Sequence, residues 1–157
     1  LDGAEAAIDE RLGLFAQRSY LDRVGRPECV ADLRTRVLIG PDTDQAALAG
    51  FGIFGEALGR QHLRLRTDSE AAQIASIRAG LGIGPLQAGV AARDQRLEAV
   101  LPDDVHWTLE AWLVLHDDLR RLPMVRLVAD HLSAVLPTLL RTGQMPRDTD
   151  RAADHQN

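Results

Sequence analysis

Lysine is missing from this 157-residue chain, whose 18 basic residues are all arginine. That bias is as compatible with genome composition as with function, so no partner follows from it. Positive charge is also in the minority. Against 23 acidic residues the net charge is −5, which argues against a free-standing nucleic-acid surface, since phosphate contacts need clustered cations. There is one cysteine, Cys29, so an internal disulfide and a cysteine-rich metal site are both excluded. No apolar run approaches the roughly 20 residues that cross a bilayer. The first ten residues, Leu1 to Glu10, carry four acids and no basic start, unlike a secretory leader. The expectation is a soluble, cytoplasmic protein with no membrane partner.

Chemistry-bearing patterns are absent too. His62, His106, His116, His131 and His155 form no His-x-x-x-His or Glu-x-x-His pair, so no metal and no metal cofactor is expected. The glycine-rich Gly80-Leu81-Gly82-Ile83-Gly84 lacks the phosphate-loop Lys-Ser/Thr, and it follows a helix where a dinucleotide fingerprint precedes one. No serine lies in a Gly-x-Ser-x-Gly elbow, and Cys29 has no histidine on a shared helix. An enzyme is therefore not expected.

What the chain does contain is one well-punctuated run from Leu63 to Leu86. Leu63 and Leu65 alternate with Arg64 and Arg66, the period of a strand with one buried face. A helix of about three turns follows. Thr67 and Glu70 fit a Thr-x-x-Glu capping box, with Ser69 or Asp68 as alternative caps. Ala71, Ile74, Ala75 and Arg78, joined by Ala72 and Ala79, form the expected stripe, and Gly80 supplies a residue tolerant of positive φ at the helix end. Leu81, Ile83 and Leu86 then read as a second strand. The polar cluster Thr67, Asp68, Ser69 thus sits at the electropositive end of a helix. Two readings stay open there: plain capping, or a seat for an anionic group.

The remaining elements alternate in the same manner. Leu1 to Glu10 reads as helix or coil. Arg11 to Gln17 reads as a strand, Ser19 to Val24 as a short helix capped by Ser19, Cys29 to Leu33 as another, and Arg36 to Gly40 as a compact strand. Asp44 to Gly59 reads as a surface excursion. Gly89 to Arg96 begins a short helix, and Arg96 to Leu101 a strand broken by Pro102. Thr108 to Leu115 is the most hydrophobic strand candidate, with Trp107 and Trp112 assigned to packing. A polar turn from His116 leads to a helix from Pro123 to Leu136, whose Val125, Val128, Ala129, Leu132 and Val135 face inward. Arg141 to Asn157 reads as a disordered tail. Strands alternating with helices indicate an α/β protein.

In order and spacing, a set of these pieces resembles the effector-binding domain of LysR-type transcriptional regulators. The set is Leu14-Phe15-Ala16, Ser19-Tyr20-Leu21, Gly25-Arg26-Pro27, Asp32-Leu33, Ala79 to Gly84, Trp112 to Leu115, Pro123 and Val125. The resemblance implies a periplasmic-binding-protein-like fold, with part of a first lobe and a crossing strand in residues 1–28 and a whole second lobe in 29–101. A return crossing with a first-lobe strand and helix would fill 102–140, and a tail 141–157. It implies a small acidic or aromatic effector between the lobes, held by Thr67, Asp68 and Ser69 at the helix start and by Phe15, Gln17 and Arg18 at the crossing strand. It further implies a homo-oligomer, and DNA contact only through a winged helix-turn-helix that these residues do not include. The alternative is a binding module of the same fold without regulatory output. Because half of one lobe is unmatched, exposed apolar surface and self-association are expected.

Overall fold

A 14-residue strand, β1 (Ala4–Gln17), is the spine of the computed structural model, which describes residues 4–44 and 60–143. The expectation of helix or coil before Arg11 is corrected from Ala4 onward: the partner strand β6 (His106–Val114) runs antiparallel to β1 from Ala4 to Gly13 and draws this acidic stretch into the sheet. Pairing overrides a weak local preference.

β1 leaves β6 after Gly13, having gained one new neighbour from Leu12 and a second from Leu14. β4 (Gly84–Gln87) pairs along one edge, with Leu12 opposite Gln87 and Phe15 opposite Gly84. β5 (Leu97–Val100) pairs along the other edge, with Leu14 opposite Val100. Since His106 is opposite Gly13, β5 and β6 form one interrupted strand along the same edge of β1, with residues 101–105 looped out between them. Leu101 opens that excursion at φ 50, a value side chains rarely adopt, and the Val105 amide donates back to its carbonyl at 2.8 Å.

A second, two-stranded sheet lies beside β4. β2 (Leu38–Gly40) and β3 (Leu63–Arg66) pair in parallel, and Ile83 bonds to β2 through Ile39 N–H to its carbonyl (2.8 Å) and its own N–H to Val37 O (2.9 Å). Helix α2 (Glu70–Arg78) crosses from β3 to this bridge. α1 (Arg18–Val24) follows β1 directly, with Gln17 rather than Ser19 at its cap position, and a 3-10 turn spans Val30–Thr35. Short α3 (Ala88–Ala91) follows β4, and α4 (Asp117–Arg120) leads into the long α5 (Pro123–Thr142).

Alternate residues of β1 serve two cores, as strand geometry requires. Leu14 and Ala16 join Tyr20, Leu21, Leu33, Leu38 and Val105 on one face. Phe15 packs on the other with Ile39, Ile77, Leu86 and Leu97. The stripe expected on α2 is displaced. Ala71, Ala72, Ala75 and Ala79 are exposed, Ile77 is fully buried and Ile74 is half-buried, because α2 turns its isoleucines to the sheet. Ile83 bridges to β2 ahead of β4, while Leu81 stays exposed.

Two corrections concern the last third of the chain. The helix expected to stop at Leu136 passes through Pro137 to Thr142, so the first two residues of the tail expected from Arg141 belong to α5. Its expected inner stripe holds for Ala129 and Val135, but Val128 is exposed, as are Met124 and Leu127. The Thr108–Leu115 strand is real, yet Leu109, Trp112 and Val114 are each about half exposed, so only Trp107 of the two tryptophans packs on a core. The excursion expected over Asp44–Gly59 lies outside the described residues from position 45, as does the tail beyond Gly143.

Candidate functional site

The start of α2 stands beside the point where β1 passes from β6 to β4. Ser69, in extended conformation, caps the helix, its Oγ accepting from the Ala72 amide at 3.3 Å. Ser69, one of the alternative caps, is thus the cap in use, and the expected Thr67–Glu70 capping box does not form. Thr67 Oγ1 accepts from the Ser69 amide at 3.2 Å, the Thr67 amide donates to Gly40 O at 3.0 Å, and the Thr67 carbonyl takes the Gln73 side chain at 2.7 Å. These bonds tie β2, β3 and α2 into one rigid corner.

Glu70 does not reach back to close the box. Its carboxylate instead accepts from the side-chain amide of Gln87, the last residue of β4 and the partner of Leu12. Glu10 on β1 is half-buried and feels Glu70: burial first, then the neighbouring carboxylate, raise its pKa above the ordinary glutamate value. The crossing therefore gathers Thr67, Ser69, Glu70, Gln87 and Glu10. Sequence reading missed Gln87 and Glu10, for Glu10 lay in a stretch without periodicity and Gln87 was an unremarked strand end.

Asp68 has a different occupation. Its carboxylate accepts from the backbone amides of Asp42 (2.7 Å), Thr43 (2.9 Å) and Asp44 (3.1 Å) and from the Thr43 hydroxyl (2.6 Å). Those bonds, the Thr43 hydroxyl foremost, hold the carboxyl far below the usual range. Asp68 fastens the loop after β2 to the head of α2, and Arg60 clamps the same loop through Asp42 at 2.9 Å.

The remaining expected site residues fall elsewhere. Gln17 Nε2 donates to the Arg78 carbonyl at 2.7 Å and its Oε1 accepts from Ser19, which puts it at the far end of α2 from Ser69. Nine helical residues separate those ends, about 13 Å at helical rise. Arg18 is exposed at the same far end, its amide on Arg96 O at 2.9 Å. Phe15 lies between, half-buried in the core with Ile77. The six residues are thus distributed over two ends and a core rather than one site.

Two cavities flank the looped-out 101–105 segment. One of about 280 Å³ is lined by Leu21, Arg26, Glu98 and Leu101–Asp104, and its Arg26 bridges Glu98 at 2.7 Å and Asp22 at 3.0 Å. The other, about 210 Å³, is lined by Arg11–Leu14, Ala88, Pro102, Val105 and His106. Both border the edge of β1 that carries β5 and β6, whereas the head of α2 stands by Gln87 on the opposite edge. Among the described residues no group of three or more His, Cys, Asp or Glu side chains is arranged to hold a metal ion, and no helix is long and apolar enough to cross a membrane.

The chain matches the family model described as LysR substrate binding domain over residues 3–137. Among solved structures it is similar to the regulatory domain of CrgA, a LysR-type transcriptional regulator from Neisseria meningitidis. The TM-score is 0.69 at 20% identity, covering 85% of this chain and 69% of that one. It is also similar to the effector domain of the transcriptional regulator AmpR of Pseudomonas aeruginosa (TM-score 0.62, 18% identity, 91% of this chain, 70% of that one). A third is full-length AphB, the Vibrio cholerae virulence activator (TM-score 0.61, 18% identity, 83% of this chain, 46% of that one). The chain spans about half the length of the full-length regulators it matches, 48% for CrgA. No curated protein matches it.

Proposed function

The chain belongs to the LysR substrate-binding domain family, and from that premise we propose that it is the ligand-sensing part of a LysR-type transcription regulator. Its effector sits where β1 crosses between two lobes. The second lobe comprises β2 to β5 with α2 and α3. The first is represented by β6, α4 and α5, extended to Thr142 by the observed helix. DNA is contacted by another part of such a protein, and the working unit is a homo-oligomer.

The observation that carries this reading is the meeting of Ser69 and Glu70 at the head of α2 with Gln87 and Glu10 beside the crossing. Thr67 and Ser69 offer hydroxyls there, and the first amides of α2 offer an electropositive edge. Asp68 serves the site indirectly by holding the 42–44 loop, and Gln17, Arg18 and Phe15 support the scaffold. Two carboxylates at the crossing disfavour a strongly acidic guest, so a neutral or aromatic effector with hydrogen-bond donors suits the site better than a dicarboxylate. Such a ligand acts by binding one lobe arrangement better than the other and shifting the population.

A thermal-shift screen of neutral aromatics, amines and small carboxylates tests the proposal. A ligand present at a hundred times its Kd stabilises by about 2.7 kcal/mol, and Ser69→Ala with Glu70→Ala removes that gain. A ligand that stabilises this double variant as strongly as the parent would show that the effector binds elsewhere.

A further inference from the structure

The last turn of α5 lies backbone against backbone on α3. A Cβ at Gly89 would stand 2.9 Å from the Leu139 carbonyl oxygen and overlap that of Leu140, and a Cβ at Gly143 would overlap the carbonyl of Gly89. Gly143 ends α5 in left-handed conformation at φ 69, its amide on Leu139 O at 2.7 Å. Arg93, just past α3, donates its Nε–H to the Gly143 carbonyl. A guanidinium thus sits at the electronegative end of a 20-residue helix, where a cation is favoured. Glycine at both positions permits the contact, and Arg93 fastens it.

The place of this contact gives it a consequence. α3 begins at Ala88, directly after Gln87, whose side chain holds Glu70 at the candidate site. In the two-lobe reading α5 is grouped with β6, on the other side of the crossing, while its own packing is on α3, β1 and α4. Among the described residues the two parts also share β1 and the 101–105 excursion with its left-handed Leu101. Any change in the angle between them slides the end of α5 across α3. Backbone surfaces this close do not deform gradually, so the contact is either seated or unseated.

We propose that the Gly89–Gly143 contact, fastened by Arg93, is a latch that holds the two lobes at one angle and must be released when that angle changes. The inference rests on the two-lobe reading above but not on the identity or position of the effector. It is tested without ligand. Spin labels are placed at the exposed positions Arg64 on β3 and Leu127 on α5, through Arg64→Cys and Leu127→Cys in a Cys29→Ser background, and their separation is measured by pulsed electron paramagnetic resonance. With Arg93 intact one narrow distribution is expected. In Arg93→Met, or Arg93→Gln if the methionine variant does not fold, the distribution broadens or its mean moves by more than about 2 Å, the scale of a domain rearrangement. An unchanged distribution in the folded variant, even with a lowered Tm, makes the contact ordinary packing and overturns the latch. An empty effector screen leaves this result standing, and an unchanged distribution leaves the effector reading standing, so the two fail separately.

Discussion

Asp68 and Thr43 are joined twice, the carboxylate accepting from the Thr43 hydroxyl at 2.6 Å and from its amide at 2.9 Å. With the amides of Asp42 and Asp44 on the same carboxylate, a residue that a sequence reader places in a ligand site becomes the fastening of a loop.

Asp68→Asn is expected to lower Tm at pH 7, because a neutral amide is a weaker acceptor for amides that converge on a charge. The folded carboxyl is held below its unfolded value. Its stabilisation is therefore present above the ordinary aspartate pKa of about 3.9 and is lost as pH falls through the folded value. Melts from pH 7 down to pH 3 check this: the Tm gap between parent and variant should shrink on acidification. A gap that widens would contradict the sign.

Glu10 runs the other way. Burial and Glu70 raise its folded pKa, so its favourable contribution is complete below the unfolded value of about 4.3 and is lost as pH rises through the folded one. Glu10→Gln should raise Tm at pH 7 and make little difference near pH 4. Equal Tm changes at both pH values would remove the electrostatic explanation.

Gly84 and Ile77 are sterically coupled. A Cβ at Gly84 would stand 2.9 Å from Ile77 Cδ1 and 3.1 Å from Ile39 Cβ. Gly84→Ala should cost about 1–3 kcal/mol by overpacking, and Ile77→Val about 0.5–1.5 kcal/mol by loss of a methyl group. Since valine lacks the clashing Cδ1, the double variant should be less destabilised than the sum by about 0.5 kcal/mol or more. Urea titrations measure all three, and strict additivity would show that Ile77 Cδ1 does not set the penalty.

Leu109, Trp112, Met124, Leu127 and Val128, on β6 and α5, are each 48% exposed or more. Exposed apolar side chains in this number favour association. The chain should sediment with a concentration-dependent mass, and Met124→Lys with Leu127→Glu should move it towards monomer. A parent chain that stays monomeric and melts sharply across the concentration range would refute this.

The parts legible in the sequence were those settled by neighbours along the chain. The β3–α2 junction was readable because Thr67, Asp68 and Ser69 are cap residues in a row, and Gly80 because a helix end needs positive φ, here 71. The α/β class and the family followed from the order of such pieces. The continuation of α5 from Leu136 to Thr142 is masked by Pro137, a residue that normally breaks a helix interior. Its final turn is held by docking on Gly89, which nothing nearby in the sequence announces, although Gly143 after Leu139, Leu140 and Arg141 carried a helix-end signal.

The candidate site divides in the same manner. Ser69 at a helix start was local information. Glu10 and Gln87 reach that start only because β1 pairs with β4 along one edge, and Gln17 is removed from it because α2 points its other end there. By itself, then, the sequence determined where elements begin and end, since caps, glycines and period-two alternation act within a few residues. Tertiary structure alone decided which carboxylates share the crossing and which one is consumed by a loop, because strand pairing and burial bring together groups that the covalent chain keeps apart.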